Sequence, residues 1–210
     1  MSNLLLSLLI GFLGLDTTIA FQVLISQPIF ACPILGWLLG NPALGMEIGI
    51  MMQLIWLNVL PVGAAVFLEG NIASMVTCAI AIQFEELNLP NLVFTAAFVI
   101  GMAVSYLGAQ LTVFDRKLNG LILKLTLEAA QKASLKQIAL LDFTSVLIYF
   151  LMMSALAYVA LWGAGQMIPL LIENLPSPAE QKLEFVKPAV WGLGISLTLP
   201  MIFRILRQKS

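Results

Sequence analysis

Apolar residues dominate the chain up to residue 113, and the few polar breaks define its elements. Residues 28–40 and 43–58 are two apolar half-spans separated by Asn41-Pro42, a dipeptide that stops one helix and starts the next. Gly36 and Gly40 precede this turn and Gly45 and Gly49 follow it, a small-xxx-small spacing that lets two helix backbones approach closely in a membrane. The pattern predicts a tight hairpin broken at Asn41-Pro42, running into a Pro-Gly segment with one acid, over residues 28–71. Irregular backbone persists at membrane depth only where it lines a cavity, so this stretch is the candidate binding region.

Three longer runs, 92–113, 140–165 and 188–206, each approach the roughly 20 apolar residues of a bilayer span. Residues 72–84 form a shorter apolar segment. The first residues lack the basic n-region and A-x-A site of a signal peptide, so they predict a retained first span. Residues 3–15 and 17–26 fit one bent span, and the hairpin fits either a crossing or a re-entrant path. Segment 114–136 places Leu118, Leu121, Ile122 and Leu125 on one face and Lys117, Lys124, Glu128 and Gln131 on another. That is an amphipathic helix at the inner surface, an interfacial anchor or a docking face for a soluble partner.

Charge changes the picture by orienting these segments. No lysine or arginine occurs through Phe114, whereas Arg116, Lys117, Lys124, Lys132 and Lys136 follow closely, and the C-terminus carries Arg204, Arg207 and Lys209. By the positive-inside rule both basic regions are cytoplasmic, with the Pro-rich, acid-leaning segment 173–187 outside. The expected fold is all-α, a single polytopic transmembrane domain spanning 1–210.

The chain is 60% hydrophobic and 10% charged, with a mean hydropathy of +1.01, values that belong to an integral membrane protein. No basic cluster of the kind that nucleic acid demands interrupts the apolar body. Histidine is absent, which removes phosphohistidine, an imidazole base and imidazole metal ligands from consideration. Cys32 and Cys78 sit in apolar runs and read as buried hydrophobes. No Gly-x-Ser-x-Gly, P-loop or Cys-x-x-Cys motif is present, so no catalytic residue, metal or cofactor is expected.

The candidate chemistry lies in isolated polar positions. Asp16 either serves function inside the membrane, where a lone carboxylate costs roughly 2.5–3.5 kcal/mol, or caps a helix starting at Thr17. Gln22, Gln53 and Glu69, with Asn58 and Asn71, form a set of amides and one acid. Such groups offer paired donors and acceptors to sugar hydroxyls, and Trp56 can stack on a ring face. Each amide singly fits interhelical hydrogen bonding as well. Glu47 reads as a structural residue, with facing or capping the hairpin turn as the alternative, while Glu85, Glu86 and the acids around Glu180 read as a solvated face. Trp37, Trp162 and Trp191 fall at span ends, where interfacial belts are expected.

Certain of these residues carry a resemblance. Gly14-Leu15-Asp16, Phe21-Gln22, Pro28-Ile29, ACPILGWLLGN at 31–41 and the run 49–74, with its glycine-alanine box at 61–65, are similar to the membrane subunit IIC of the mannose–fructose–sorbose family of the bacterial sugar phosphotransferase system. The FDRKL segment and WGLGISLTLPMIF at 191–203 extend the likeness. The chain departs from that family's pattern in carrying Gln27 for Arg, Gln53 for Glu and Glu69 for Asp, and in ending at Ser210 where relatives continue.

The resemblance implies a sugar-translocating subunit of the inner membrane, multi-pass with a cytoplasmic C-terminus, moving a hexose or amino sugar by alternating access around the hairpin. It implies an oligomeric assembly in the lipid bilayer with membrane subunit IID. Cytoplasmic IIB, charged by IIA, would carry the phosphoryl group on its own histidine. Asp16, Gln22, Gln53, Asn58, Glu69 and Asn71 are the expected substrate-binding residues. Two other readings stand beside it: a non-transporting scaffold or regulatory subunit of such a permease, and a secondary transporter of a small neutral solute.

Overall fold

The computed structural model describes residues 1–17, 19–59, 67–174 and 179–207. All regular structure among them is helical: α1 (Asn3–Gly14), α2 (Pro28–Leu39), α3 (Pro42–Trp56), α4 (Gly70–Gln83), α5 (Pro90–Gln131), α6 (Leu135–Asn174), α7 (Ala179–Lys182) and α8 (Val186–Arg207), with 3-10 turns at Leu15–Thr17 and Glu85–Leu87. The glycine-alanine box at 61–65 lies outside the described residues.

Helix α4 is the centre. Every residue from Gly70 to Ile82 is buried, and α1, α2, α3, α5 and α6 all pack against it. Its sequence, GNIASMVTCAIAIQ, mixes small and apolar residues on all faces, as a helix enclosed by other helices must. Its few hydroxyls bond inward: Ser74 Oγ donates to Gly70 O at 2.6 Å and Thr77 Oγ1 to Ala73 O at 2.9 Å. Cys32 on α2 and Cys78 on α4 are free, buried thiols.

The hairpin forms at Asn41-Pro42. Gly40 ends α2 in the left-handed region at φ 98°, where glycine alone adds no steric cost, and Asn41 caps α3 by accepting from Leu44 N at 2.9 Å. Gly36 and Gly45 then bring α2 and α3 together. A Cβ on Gly45 would lie 2.6 Å from Cys32 O and 3.0 Å from Gly36 Cα.

Several polar positions take on bonds beyond the sequence expectation. Glu85 is exposed, as expected of a solvated face, and it is also bonded: both its carboxylate oxygens accept from Asn41 Nδ2, at 2.7 and 2.8 Å, tying the hairpin tip to the turn after α4. Glu180 caps α5 across space, accepting from Asn91 N at 2.8 Å and Leu92 N at 2.9 Å, where orphan amides and the helix dipole favour an anion. Glu47 neither faces the turn nor caps it; it pairs with Lys187 at 2.7 Å and links α3 to α8.

Two predicted segments also change. Residues 17–26 do not continue α1 as a bent span: after the turn at Leu15–Thr17 the backbone leaves helical geometry, with positive φ at Phe21, Gln22 and Leu24. The expected break between segments 92–113 and 114–136 is absent as well. The expected span 92–113 and amphipathic helix 114–136 are one helix of 42 residues, ending at Gln131 and turning through Ala133 (φ 50°) into α6. At 1.5 Å per residue α5 is about 60 Å long, twice the roughly 30 Å of hydrocarbon in a bilayer. Exposed Val99, Leu107, Leu151, Val159 and Trp162 give α5 and α6 an apolar exterior suited to lipid.

The α2–α3 contact sets a stability test. Gly45→Ala is expected to destabilise the detergent-solubilised protein by about 1–3 kcal/mol, the range for overpacking a close contact. Gly163→Ala, whose Cβ meets nothing within 4 Å, should leave the thermal midpoint unchanged or raise it.

Candidate functional site

A carboxylate organises the irregular segment after α1. Asp16 is buried, and its two oxygens accept from Val23 N at 2.6 Å and Ser26 N at 3.0 Å. These charge-assisted bonds close the loop over residues 16–26 and hold its left-handed positions in place. The buried Ser26 hydroxyl and Thr17 Oγ1 then both accept from Asn71 Nδ2, at 3.0 and 3.1 Å, fastening the loop to the first turn of α4. Asp16 therefore does not cap a following helix, and it does not border the cavity described next.

Just beyond, Gln53 Nε2 on α3 donates to Gln27 Oε1 at 3.1 Å, and Gln53 Oε1 accepts from Ile29 N at 3.3 Å. The two amides that stand where the resemblance leads one to expect opposite charges are thus bonded to each other. Neutral amides keep a contact between these positions without isolated charge in an apolar setting.

These braces enclose a cavity of about 320 Å3. Thr17, Ile19 and Gln27 come from the irregular segment, and Trp56 and Val59 from the end of α3. Residues 67–71 supply the approach to α4, Thr112, Asp115, Arg116 and Asn119 supply the α5 wall, and Tyr149 closes the α6 side. Thr112 Oγ1 donates to Glu69 Oε1 at 2.6 Å, while Glu69 N donates to Ser105 O at 3.0 Å, so both ends of this residue are held by α5. Gly108 leaves room for it; a Cβ there would lie 2.7 Å from Glu69 Cβ. Gly70 does the same for Trp56, whose indole would stand 2.5 Å from an added Cβ. The buried Trp56 Nε1 and Asp115 Oδ1 have no hydrogen-bond partner among the described residues.

The sequence-predicted residues divide. Glu69 and Asn71 line the cavity, with the suggested stacking residue Trp56, and Gln53 stands behind Gln27 as a brace. Gln22 is exposed in the loop and does not border the cavity. Asn58 turns the other way and donates to Leu197 O on α8 at 2.5 Å. Sequence reading missed Thr17, Thr112, Asp115, Arg116, Asn119 and Tyr149. Asp115 and Arg116 fell at the expected junction between span 92–113 and amphipathic segment 114–136, and their place in the cavity wall follows only from the continuity of α5.

Chemically, the cavity offers carboxylates, amides, hydroxyls, a guanidinium and an aromatic ring around a volume at the lower end of small-molecule pockets. That inventory complements a compact, neutral, hydroxyl-rich molecule, each of whose hydroxyls both donates and accepts.

Comparison with known proteins gives a consistent frame. The family model "PTS system sorbose-specific iic component" matches residues 1–205. The chain is 24% identical over 177 residues to a "PTS system sorbose-specific EIIC component" of Klebsiella pneumoniae, covering 84% of this chain and 64% of that protein. A protein of the same description from Lacticaseibacillus casei is 25% identical over 177 residues, covering 84% and 62%. The alignment thus spans less than two thirds of either curated relative. Among solved structures, one titled "Structure of membrane protein" superposes with a TM-score of 0.73 at 19% identity, covering 95% of this chain and 79% of that one. The "CryoEM Structure of Mannose Transporter ManYZ and Microcin E492 (MceA) complex" gives 0.62 at 19% identity, with the same coverage. At that identity these likenesses show the fold alone, an all-helical membrane-protein architecture.

The Asp16 brace is testable by itself. Asp16→Ala removes two charge-assisted bonds from buried amides and is expected to lower stability by about 1.5–3 kcal/mol in a thermal or denaturant titration. Glu86→Gln, on the exposed turn, should have no measurable effect.

Proposed function

Since the chain belongs to the family of sorbose-specific IIC components of the phosphotransferase system, we propose that it is the sugar-translocating membrane subunit of such a permease, binding a hexose or amino sugar in the cavity between α4 and α5. The single observation that carries this reading is the cavity itself. Its volume admits one hexose, and its walls present Glu69, Asn71, Thr112 and Asn119 around the indole of Trp56. Glu69 and Asn71 contact the sugar directly; Asp16 and Gln53 act through the loop residues and Gln27.

Transport then asks the cavity to open alternately to the two sides of the membrane. The first turn of α4 is the fixed reference, because α4 is buried on every face and Asn71 at its start holds the loop 16–26. By its likeness to the family, the phosphoryl group reaches the sugar from a cytoplasmic IIB partner charged by IIA, with which the absence of histidine in this chain is consistent. A IID subunit completes the membrane assembly. This reading places the protein in the bacterial inner membrane, as one transmembrane domain, with the basic residues from Arg116 to Lys136 and the C-terminus on the cytoplasmic side. Segment 173–187 then faces outside. Support comes from the family match, the description of both curated relatives and the hydrogen-bonding inventory of the cavity.

Calorimetry on the purified assembly with sorbose, fructose, mannose and glucosamine tests it. One of these should bind saturably, and Glu69→Gln and Asn71→Ala should each weaken it about 10–100-fold, the equivalent of a hydrogen bond to a charged or buried group. Uptake in cells should require phosphoenolpyruvate and withstand collapse of the proton gradient. Absence of binding by every sugar to a folded assembly would sink the reading.

A further inference from the structure

Two spaces in the molecule share one lining residue. Asn119 borders the 320 Å3 cavity and also borders a second, more open space of about 570 Å3 between α5 and α6. Its amide is held from both sides: Nδ2 donates to Asp115 Oδ2 on its own helix at 2.9 Å, and Oδ1 accepts from Ser145 Oγ on α6 at 2.6 Å. The Asn119–Ser145 bond is therefore a latch between the two helices at the point where the two spaces meet. Beyond it the groove carries Thr126, Asp142 and Ser145 along a wall that is otherwise aliphatic.

Two further observations favour movement at this point. Asp115 Oδ1 is buried beside the amide without a partner among the described residues, so an acceptor is already available there. Gly120 follows immediately, in the interior of α5, and a Cβ on it would meet nothing within 4 Å. Packing gives no reason for a glycine at that position, and its effect is to loosen the helix locally. The groove runs toward the Ala133 turn, where Lys124, Lys132 and Lys136 mark the end of α5–α6 that meets water.

The geometry points to Asn119 as a gate, and to the α5–α6 groove as the passage through which a hydroxyl-rich solute moves between the cavity and the basic end of the helix pair. This deepens the proposed transport role and rests on it. An amide suits the task because it seals by bonding across the helices. When the Ser145 hydroxyl turns away, a passing solute hydroxyl takes its place on Asn119 Oδ1, so no buried polar group is left unpaired during transit.

The test needs no sugar. Cysteine is introduced at Val59 as a cavity reporter or at Ile138 as a groove reporter; the native Cys32 and Cys78 are fully buried. A membrane-impermeant methanethiosulfonate is applied to the assembly in vesicles, on the side from which Ile138→Cys reacts. Asn119→Ala should raise the modification rate of Val59→Cys about tenfold or more, and Asn119→Phe should lower it. Ser145→Ala, which removes only the latch, should raise it, with Ile138→Cys reacting equally in all backgrounds. A Val59→Cys rate indifferent to residue 119, with Ile138→Cys reacting normally, overturns the gate. If labelling follows residue 119 while no hexose binds, the gate stands and the sugar reading falls; hexose binding with indifferent labelling gives the reverse.

Discussion

Everything in this fold depends on enclosing α4. A helix buried on every side within a membrane has no water to satisfy its exposed backbone or side chains, so its neighbours must approach closely and its polar groups must bond inward. Small residues meet the first demand: Gly36 and Gly45 press α2 against α3, and Gly101 and Gly108 let α5 pass close to Thr77 and Glu69. Ser74 and Thr77 meet the second by bonding to their own helix. Among the described residues this enclosure opens at the helix start, where Glu69, Gly70 and Asn71 face a cavity.

Around that opening, polar groups are held by one another. Asp16 folds the loop that carries Ser26, Ser26 and Thr17 receive Asn71, and Thr112 holds Glu69. In a low-dielectric setting each bond is worth more than at a surface, and an unpaired group costs correspondingly more. A network of this kind keeps the cavity in one shape and makes its few unsatisfied atoms, Trp56 Nε1 and Asp115 Oδ1, conspicuous.

The long pair α5 and α6 links this centre to the periphery. Both pack on α4, and their joined ends carry lysines and exposed apolar residues such as Leu123, Leu127, Leu135 and Leu140. Thr112, Asp115 and Asn119 all lie on α5, which places cavity, latch and groove along one helix.

Much of this was legible in the sequence. Apolar runs and the absence of lysine and arginine before Arg116 specified a helical membrane protein, and Asn41-Pro42 with its flanking glycines specified the hairpin, because turn chemistry and backbone proximity are local properties. Glu69 and Asn71 were recognisable because a polar residue in an apolar run must have a purpose. Which of the polar residues share a cavity was decided only by the tertiary structure. Asn58 and Glu69 are eleven positions apart, yet one bonds α8 and the other α5, since partners depend on which helices pack together. Asp115 and Asn119 read as part of a separate amphipathic segment, 114–136, until α5 proved continuous, because helix continuity across a polar break is settled by packing against α6, and no local signal records it.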